Sequence, residues 1–478
     1  MSTTKKAIHT TIILALMFGF GYLPAFNPVT PLGMKILGVF FGCIYAWSIG
    51  WSIWPSVMAL IAIGLTGYDT VSGMFGRAYG NGTLHLVWFS LLFCYAIEHS
   101  GLLVFISNWI LSKKFVQKGP WMLCFAFWIT ACVGGFITAN ALPVTLLLWT
   151  LFYEVAEKLQ IKPQDKFSSI VMVGIAITGY LGNVTAPYCP LAQIIFGGAM
   201  ATMPEFSVNY LSYILLMLIL DIILVPLLLF AFLFVFRPKA KYDFSKVDIT
   251  QEITKITTPQ KIVAIAVVIL CSLMVLPNIM PAEWMFKKLI GTIGTSGIFM
   301  GMCAILAFIT YNKEPILDLG EAMSRGIPWN LFFLVATATA MSSAIVSEGT
   351  GISELLIMML HPILEGAGPF LFCFLIMMIG MVLTNIINNV VCATILIPIV
   401  ITFTKLIGSS PTVIIALLVM VLMMGLVLPS GSVLGALMHG NKTWLKTKDV
   451  YIYNAFACLI IALVCALVGF PVGSLLFR

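Results

Sequence analysis

"LTNIINNVVCATILIP", residues 383–398, puts three asparagines (Asn385, Asn388 and Asn389) within five positions of a segment built otherwise almost wholly from Leu, Ile, Val and Ala. Burying one amide without a partner costs ~2–7 kcal/mol, and hydrocarbon supplies no water to relieve it. The segment must therefore either spend these amides on helix caps and helix–helix contacts or open a solvated chamber around them. Both readings interrupt the helix here.

The surrounding chain is apolar throughout. Of 478 residues 61% are hydrophobic and 9% charged, against about 25% charged in a soluble domain. Stretches of about 20 apolar residues, the length that spans a bilayer, recur from end to end, as in "YILLMLILDIILVPLLLFAFLFVF" (213–236). The sequence predicts an all-α polytopic membrane protein. The first apolar stretch (10–26) lacks a small-x-small cleavage site and reads as a transmembrane helix rather than a signal peptide. The net charge of +7 is confined to short loops, which points to membrane topology and not to nucleic acid. The 11 cysteines are scattered singly, so neither a disulfide framework nor a metal site is expected.

Helices are expected at about 8–25, 31–49, 52–67, 84–111, 168–200, 208–236, 260–279, 290–311, 328–347, 411–440 and 450–475, about 11 spans. Two further apolar stretches, 121–154 and 367–404, are interrupted midway, the first at "GGFITANALPV" (134–144) and the second at the opening quotation. Lys113, Lys114 and Lys118 precede the first, and Lys158, Lys162 and Lys166 follow it. Basic residues on both flanks put both ends on the cytoplasmic side, so the stretch is expected to be a re-entrant hairpin. The second, with only Lys405 nearby, is expected to enter from outside. Lys5 and Lys6 put the N-terminus inside a cytoplasmic membrane; Lys287–Lys288, counted outside, are assigned to a short surface helix.

The two halves echo each other. Arg77 and Arg325, and Asn140 and Asn388, are each 248 positions apart, and each half runs arginine, helix, acidic-Ser/Gly break, hairpin, broken helix. That is the pattern of an inverted-repeat secondary transporter. The expected division is N-terminal scaffold helices (1–67), a first repeat (68–236), a cytoplasmic linker (237–259), further scaffold helices (260–311) and a second repeat (312–478). Residues 70–83 and 314–327 are expected to be interfacial helices.

Four interruptions should meet near the midplane: the tips around Thr138–Asn140 and Asn385–Asn389, and the helix breaks "GNVTAPYCP" (182–190) and "LPSGSVLG" (428–435). Freed N–H ends suit an anion and freed carbonyl ends a cation. No nucleotide-binding loop or hydrolase motif is present, which argues against a primary pump and an enzyme. Of His9, His85, His99, His361 and His439, only His439 follows a break closely. Asp221, midway along an apolar helix, is a candidate for proton or cation coupling or a structural hydrogen-bond partner. Glu98 and Glu348 stand at matching places before glycine breaks and are read as helix-ending residues. Arg77 and Arg325 are assigned to the interface, so no basic side chain is expected in the cavity.

These features resemble the divalent anion/sodium symporter family, the dicarboxylate and citrate carriers. "TANALPV" (138–144) and "INNVVCATILIPI" (387–399) stand where that family has a Ser-Asn-Thr motif at each tip, while "TAP" (185–187) and "PSGS" (429–432) stand at its breaks. The resemblance implies a carrier of di- or tricarboxylates, an elevator-type movement, a homodimer in the bilayer and no cofactor beyond Na+ as coupling ion. By motif match it hands the carboxylate-holding role to Asn140 and Asn389. The substrate set expected is Thr138, Asn140, Thr185, Pro187, Asn388, Asn389, Ser430 and Ser432; the coupling-ion set is Asn140, Asn183, Asn385, Asn389, Gly431 and Asp221. The hydroxyls flanking the family asparagine are replaced by Ala139, Ala141, Asn388 and Val390, so protons or counter-substrate stand beside sodium. A cation/proton antiporter using Asp221, or a carrier of another anion, is the alternative on the same fold.

Overall fold

The computed structural model describes residues 3–238, 242, 255–281, 283–345, 347, 349–352, 354–355, 358 and 368–477. Glu348, His361 and most of the 237–259 linker lie outside that set. The described chain is nearly all helix, the exception being a two-residue antiparallel ribbon, Thr310–Tyr311 against Glu314–Pro315, where a helix was expected to reach 311. Among the described residues ten helices are long and apolar enough to cross a bilayer, or eleven if a bent pair counts as one span. The protein is an all-α polytopic membrane protein.

Three of those ten are arms of hairpins. Helices Pro120–Thr138 and Ala141–Lys158 fold back on each other: Phe127 meets Phe152 edge-on at 5.6 Å, and a Cβ on Gly134 would sit 3.0 Å from Val144. Helices Pro369–Ile386 and Asn389–Leu406 do the same, with Phe372 and Phe403 4.3 Å apart and Gly380 against Leu396. Partners placed evenly on either side of one turn define an antiparallel pair. Asn140 and Asn388 each begin the second arm as its N-cap, accepting from Leu142 N and Val390 N.

The hairpins point toward each other. Helix Tyr210–Phe236, about 40 Å long at 1.5 Å per residue, runs antiparallel to the C-terminal helix, Thr447–Leu476. Ser212 bonds Leu476 O, Leu216 approaches Gly473, Leu220 approaches Gly469, and Phe236 packs 4.5 Å from Tyr453. The base of the second hairpin, Phe370, touches Phe470 near the Ser212 end. The base of the first lies at the other end: Lys166, just beyond it, reaches Phe236 O, and Tyr153 stacks on Trp444.

Each hairpin is followed by an interrupted helix. The first is Lys166–Thr185 then Pro190–Thr202; the second is Thr412–Met423 then Val433–Gly440. Lys166–Thr185 is buried over its whole window, whereas Thr258–Ile279 turns Ile265 and Val268 outward. The interrupted helices are thus the centre of the bundle and the 258–308 region its lipid-facing flank.

Close approach at the centre requires glycine. A Cβ on Gly182 would come within 1.7 Å of Cys132 O, and one on Gly135 within 2.1 Å of Gly179 O. Small residues let helix backbones touch in a membrane, where no hydrophobic force drives association.

One expectation needs correcting. The helix expected at 84–111 is two, Gly82–His99 and Leu102–Leu111, because Gly101 adopts φ +72° and ends the first. Lys287–Lys288 lie, as expected, on a short and largely exposed helical segment, which starts at Met285 and ends at a kink at Gly294 (φ +67°), beyond which a second helix runs to Phe308. The interfacial elements are short, Val71–Tyr79 and Leu319–Gly326, the latter bent 79° from Trp329–Ile345. A hydrogen bond from Arg77 at 2.6 Å holds the Asp69 carboxyl below the usual carboxylate range.

Gly182→Ala is expected to destabilise the protein by about 1–3 kcal/mol or more, the range for overpacking. Gly76→Ala, whose Cβ would meet nothing, is expected to leave stability unchanged or improved. Thermal melting of the detergent-solubilised protein reads both, and equal melting temperatures for the two variants would contradict the packing assigned here.

Candidate functional site

The two tips and the two breaks border one cavity of about 590 Å³, within the ~300–1,000 Å³ usual for small-molecule sites. Residues at the starts of four helices line it: Asn140, Pro190, Asn388 with Asn389, and Ser432 with Val433. Four N-termini on one space give it a positive electrostatic character without a formal charge.

Several carbonyls at the breaks and at the first tip accept hydrogen bonds from side chains of the protein. At the first break the Tyr213 hydroxyl donates to Val184 O, and the Gln193 amide, itself held by the Tyr210 hydroxyl, donates to Pro187 O. Tyr188 Oη lies 2.8 Å from both Phe136 O and Ile137 O, at the end of the first hairpin arm. At the second break Thr384 Oγ1 donates to Leu422 O at 2.5 Å, and His439 Nε2 lies 2.9 Å from Val427 O. Each carbonyl covered in this way keeps one lone pair.

The sequence-predicted residues divide accordingly. Asn140, Asn183, Asn388, Asn389 and Ser432 line the cavity. Asn389 makes no side-chain hydrogen bond among the described residues, and Asn183 Oδ1 is buried with no partner. Thr138 turns inward, its hydroxyl within 2.9 Å of Gly134 O and Asn140 O. Thr185 donates to Asp221 Oδ2 at 2.6 Å, on the far side of the broken helix from Asn183. Pro187 and Gly431 are buried in the breaks, and Ser430 is exposed outside the cavity lining. Asn385 is a strut: its Nδ2 donates to Met381 O and its Oδ1 accepts from Val427 N at 2.7 Å, tying the second hairpin to the second break. Asp221, 5% exposed, is held by Thr185 and by Cys132 Sγ at 3.8 Å and does not border the cavity.

Sequence reasoning missed three cavity residues. Glu98, read as a helix stop, accepts from Asn140 Nδ2 at 2.7 Å. Arg325, assigned to the interface, borders the cavity mouth, where it pairs with Glu321 at 2.8 Å. Tyr180 contributes from the first broken helix. No spacing rule connects Glu98 to a residue 42 positions later; only the placing of helix Gly82–His99 beside the tip does so.

Residues 44–390, from the second helix through the second hairpin tip, match the family model described as "Citrate transporter". The chain belongs to the citrate transporter family. It is therefore a member of the divalent anion/sodium symporter group that its tip and break motifs resemble. A sodium-dependent high-affinity dicarboxylate transporter 3 of Caenorhabditis elegans is 24% identical over 375 residues, 70% of this chain and 64% of the relative, so the match spans less than two thirds of that protein's length. The fold is shared with two solved transporters. The YdaH transporter of Alcanivorax borkumensis superposes with a TM-score of 0.52 at 15% identity over 84% of this chain and 87% of its own. MtrF of Neisseria gonorrhoeae, reported within a class of antimetabolite efflux pumps, gives 0.56 at 16% identity over 96% and 97%.

Asn385→Ala leaves Val427 N–H unpaired and is expected to cost about 1–3 kcal/mol, seen as a lower melting temperature. Asn389→Ala, which removes no internal bond, should melt with the parent protein. The opposite order would refute the roles assigned to these neighbours.

Proposed function

We propose that this protein is a secondary active transporter that carries a small di- or tricarboxylate across the cytoplasmic membrane, with the 590 Å³ cavity as its binding site. The observation that carries the reading is the convergence of four helix starts and four asparagines on one space. N–H ends and amide donors suit a carboxylate. Asn183 also borders the cavity, where its amide would meet a hydroxyl on the substrate, as in a hydroxylated tricarboxylate.

The two hairpins, with the interrupted helices, form the part expected to slide against a dimeric scaffold, with the N-terminus inside. A sodium ion would share the break carbonyls with the hydroxyl and amide donors already on them, whereas coupling to protons or counter-substrate asks nothing of these carbonyls. Asp221 lies behind the first break and is read as a positioning residue for Thr185, which supports the carboxylate reading over a cation/proton antiporter.

Proteoliposomes of the purified protein should accumulate labelled citrate or succinate under an inward proton gradient or against internal counter-substrate. Asn140→Ala and Asn389→Ala should each weaken binding by about 10–100-fold, the equivalent of one charge-assisted hydrogen bond. Asn183→Ala should reduce the preference for citrate over propane-1,2,3-tricarboxylate, which lacks the hydroxyl. Gradient-driven uptake of a monovalent cation with no carboxylate binding would overturn this reading in favour of the antiporter.

A further inference from the structure

The cavity holds a carboxylate of its own. Glu98 stands in the last turn of helix Gly82–His99, half-buried, and accepts a 2.7 Å hydrogen bond from Asn140 Nδ2. Asn140 Oδ1 is spent on Leu142 N, so its Nδ2 is what remains to grip a ligand, and Glu98 takes one of its two protons. Among the described residues no cation forms an ion pair with Glu98; Arg325, at the mouth of the same cavity, is engaged by Glu321. The other titratable groups that line the space with it are Cys94 and Tyr95 on its own helix and Tyr180 and Cys189 on the interrupted helix. His99 beside it stacks on Tyr95, and none of these neutralises it.

We propose that Glu98 is a resident stand-in for the substrate. Its carboxylate occupies Asn140 while the cavity is empty and is relieved by taking one proton from solution, so that the anion binds together with a proton. This rests on the carboxylate-carrier reading. A carboxylate a few Å from an anionic ligand repels it strongly where water is scarce. Protonation of one Glu98 oxygen removes that repulsion, breaks no covalent bond and leaves the second Asn140 amide proton and the neighbouring N-termini for the substrate. The bond joins different parts of the protein, since Glu98 belongs to helix Gly82–His99 and Asn140 to the hairpin tip.

The test is the dissociation constant of citrate and of succinate for the full-length protein in detergent, measured by calorimetry from pH 5 to pH 8 for the parent, Glu98→Gln and Glu98→Asp. Taking the ratio of Glu98→Gln to parent at each pH cancels the ligand's own ionisation. The expected result is a ratio near one at pH 5 that rises to about 10–100-fold tighter binding by Glu98→Gln at pH 8, with proton uptake on binding present in the parent and Glu98→Asp and absent in Glu98→Gln. Parallel pH profiles for parent and Glu98→Gln, with both binding citrate, would overturn the stand-in role and leave the carrier reading intact. Failure of the well-folded parent to bind either carboxylate at any pH would overturn the carrier reading and this proposal with it.

Discussion

An interrupted helix in a bilayer leaves backbone groups that nothing in hydrocarbon can satisfy, and the distribution of those groups decides what this protein's centre attracts. Each break and each hairpin tip yields N–H groups on one side and carbonyls on the other. Side chains take some of both kinds. Tyr188, Tyr213, Gln193, Thr384 and His439 each cover a carbonyl, and Asn140, Asn388 and Ser432 each take one N–H of the first turn at helix starts that open on the cavity. A cap takes one of the several N–H groups a helix start frees, and the others are left for a ligand.

That arrangement depends on tight packing behind it. Gly135, Gly179 and Gly182 bring the first hairpin arm within backbone contact of helix Lys166–Thr185, so tip and break form one body. At the second break Gly425 and Gly431 also come close to Thr384 O of the second hairpin arm, and Asn385 adds a hydrogen bond from Val427 N.

Much of this was legible in the sequence. Both hairpins, both breaks and their meeting place follow from Gly, Pro and Asn clusters inside apolar runs, because such residues cannot sit quietly in a lipid-exposed helix. Which member of a cluster faces the cavity was not legible. Asn385 and Asn389 are four positions apart and chemically identical, yet the tip between them reverses the chain and sends one to the break and the other to the cavity. Thr138 and Thr185 stand at the motif positions, but their hydroxyls find nearer acceptors in Gly134 O and Asp221. Glu98 was read correctly as ending a helix, since Gly101 does reverse the backbone there; its second role arises from packing alone. Arg325 was placed at the interface by its match to Arg77, and the 79° bend after Gly326 brings it to the cavity mouth.

The charges also bear on how such a site moves. The hairpin tips and breaks that line the cavity carry amides, a serine hydroxyl and helix starts, and no formally charged side chain. In the proposed sliding mechanism the cargo's charge crosses the bilayer with neutral groups around it, spread over four partial charges instead of one arginine. Neutral donors hold a carboxylate less tightly than a guanidinium fork does, which favours release on the far side. The two formal charges at the cavity, Glu98 and Arg325, lie outside the hairpins and interrupted helices, one at the end of helix Gly82–His99 and one in the interfacial turn. Charge stays with the surroundings and the cavity lining of the moving part stays neutral, so the empty tips can return without a partner to carry.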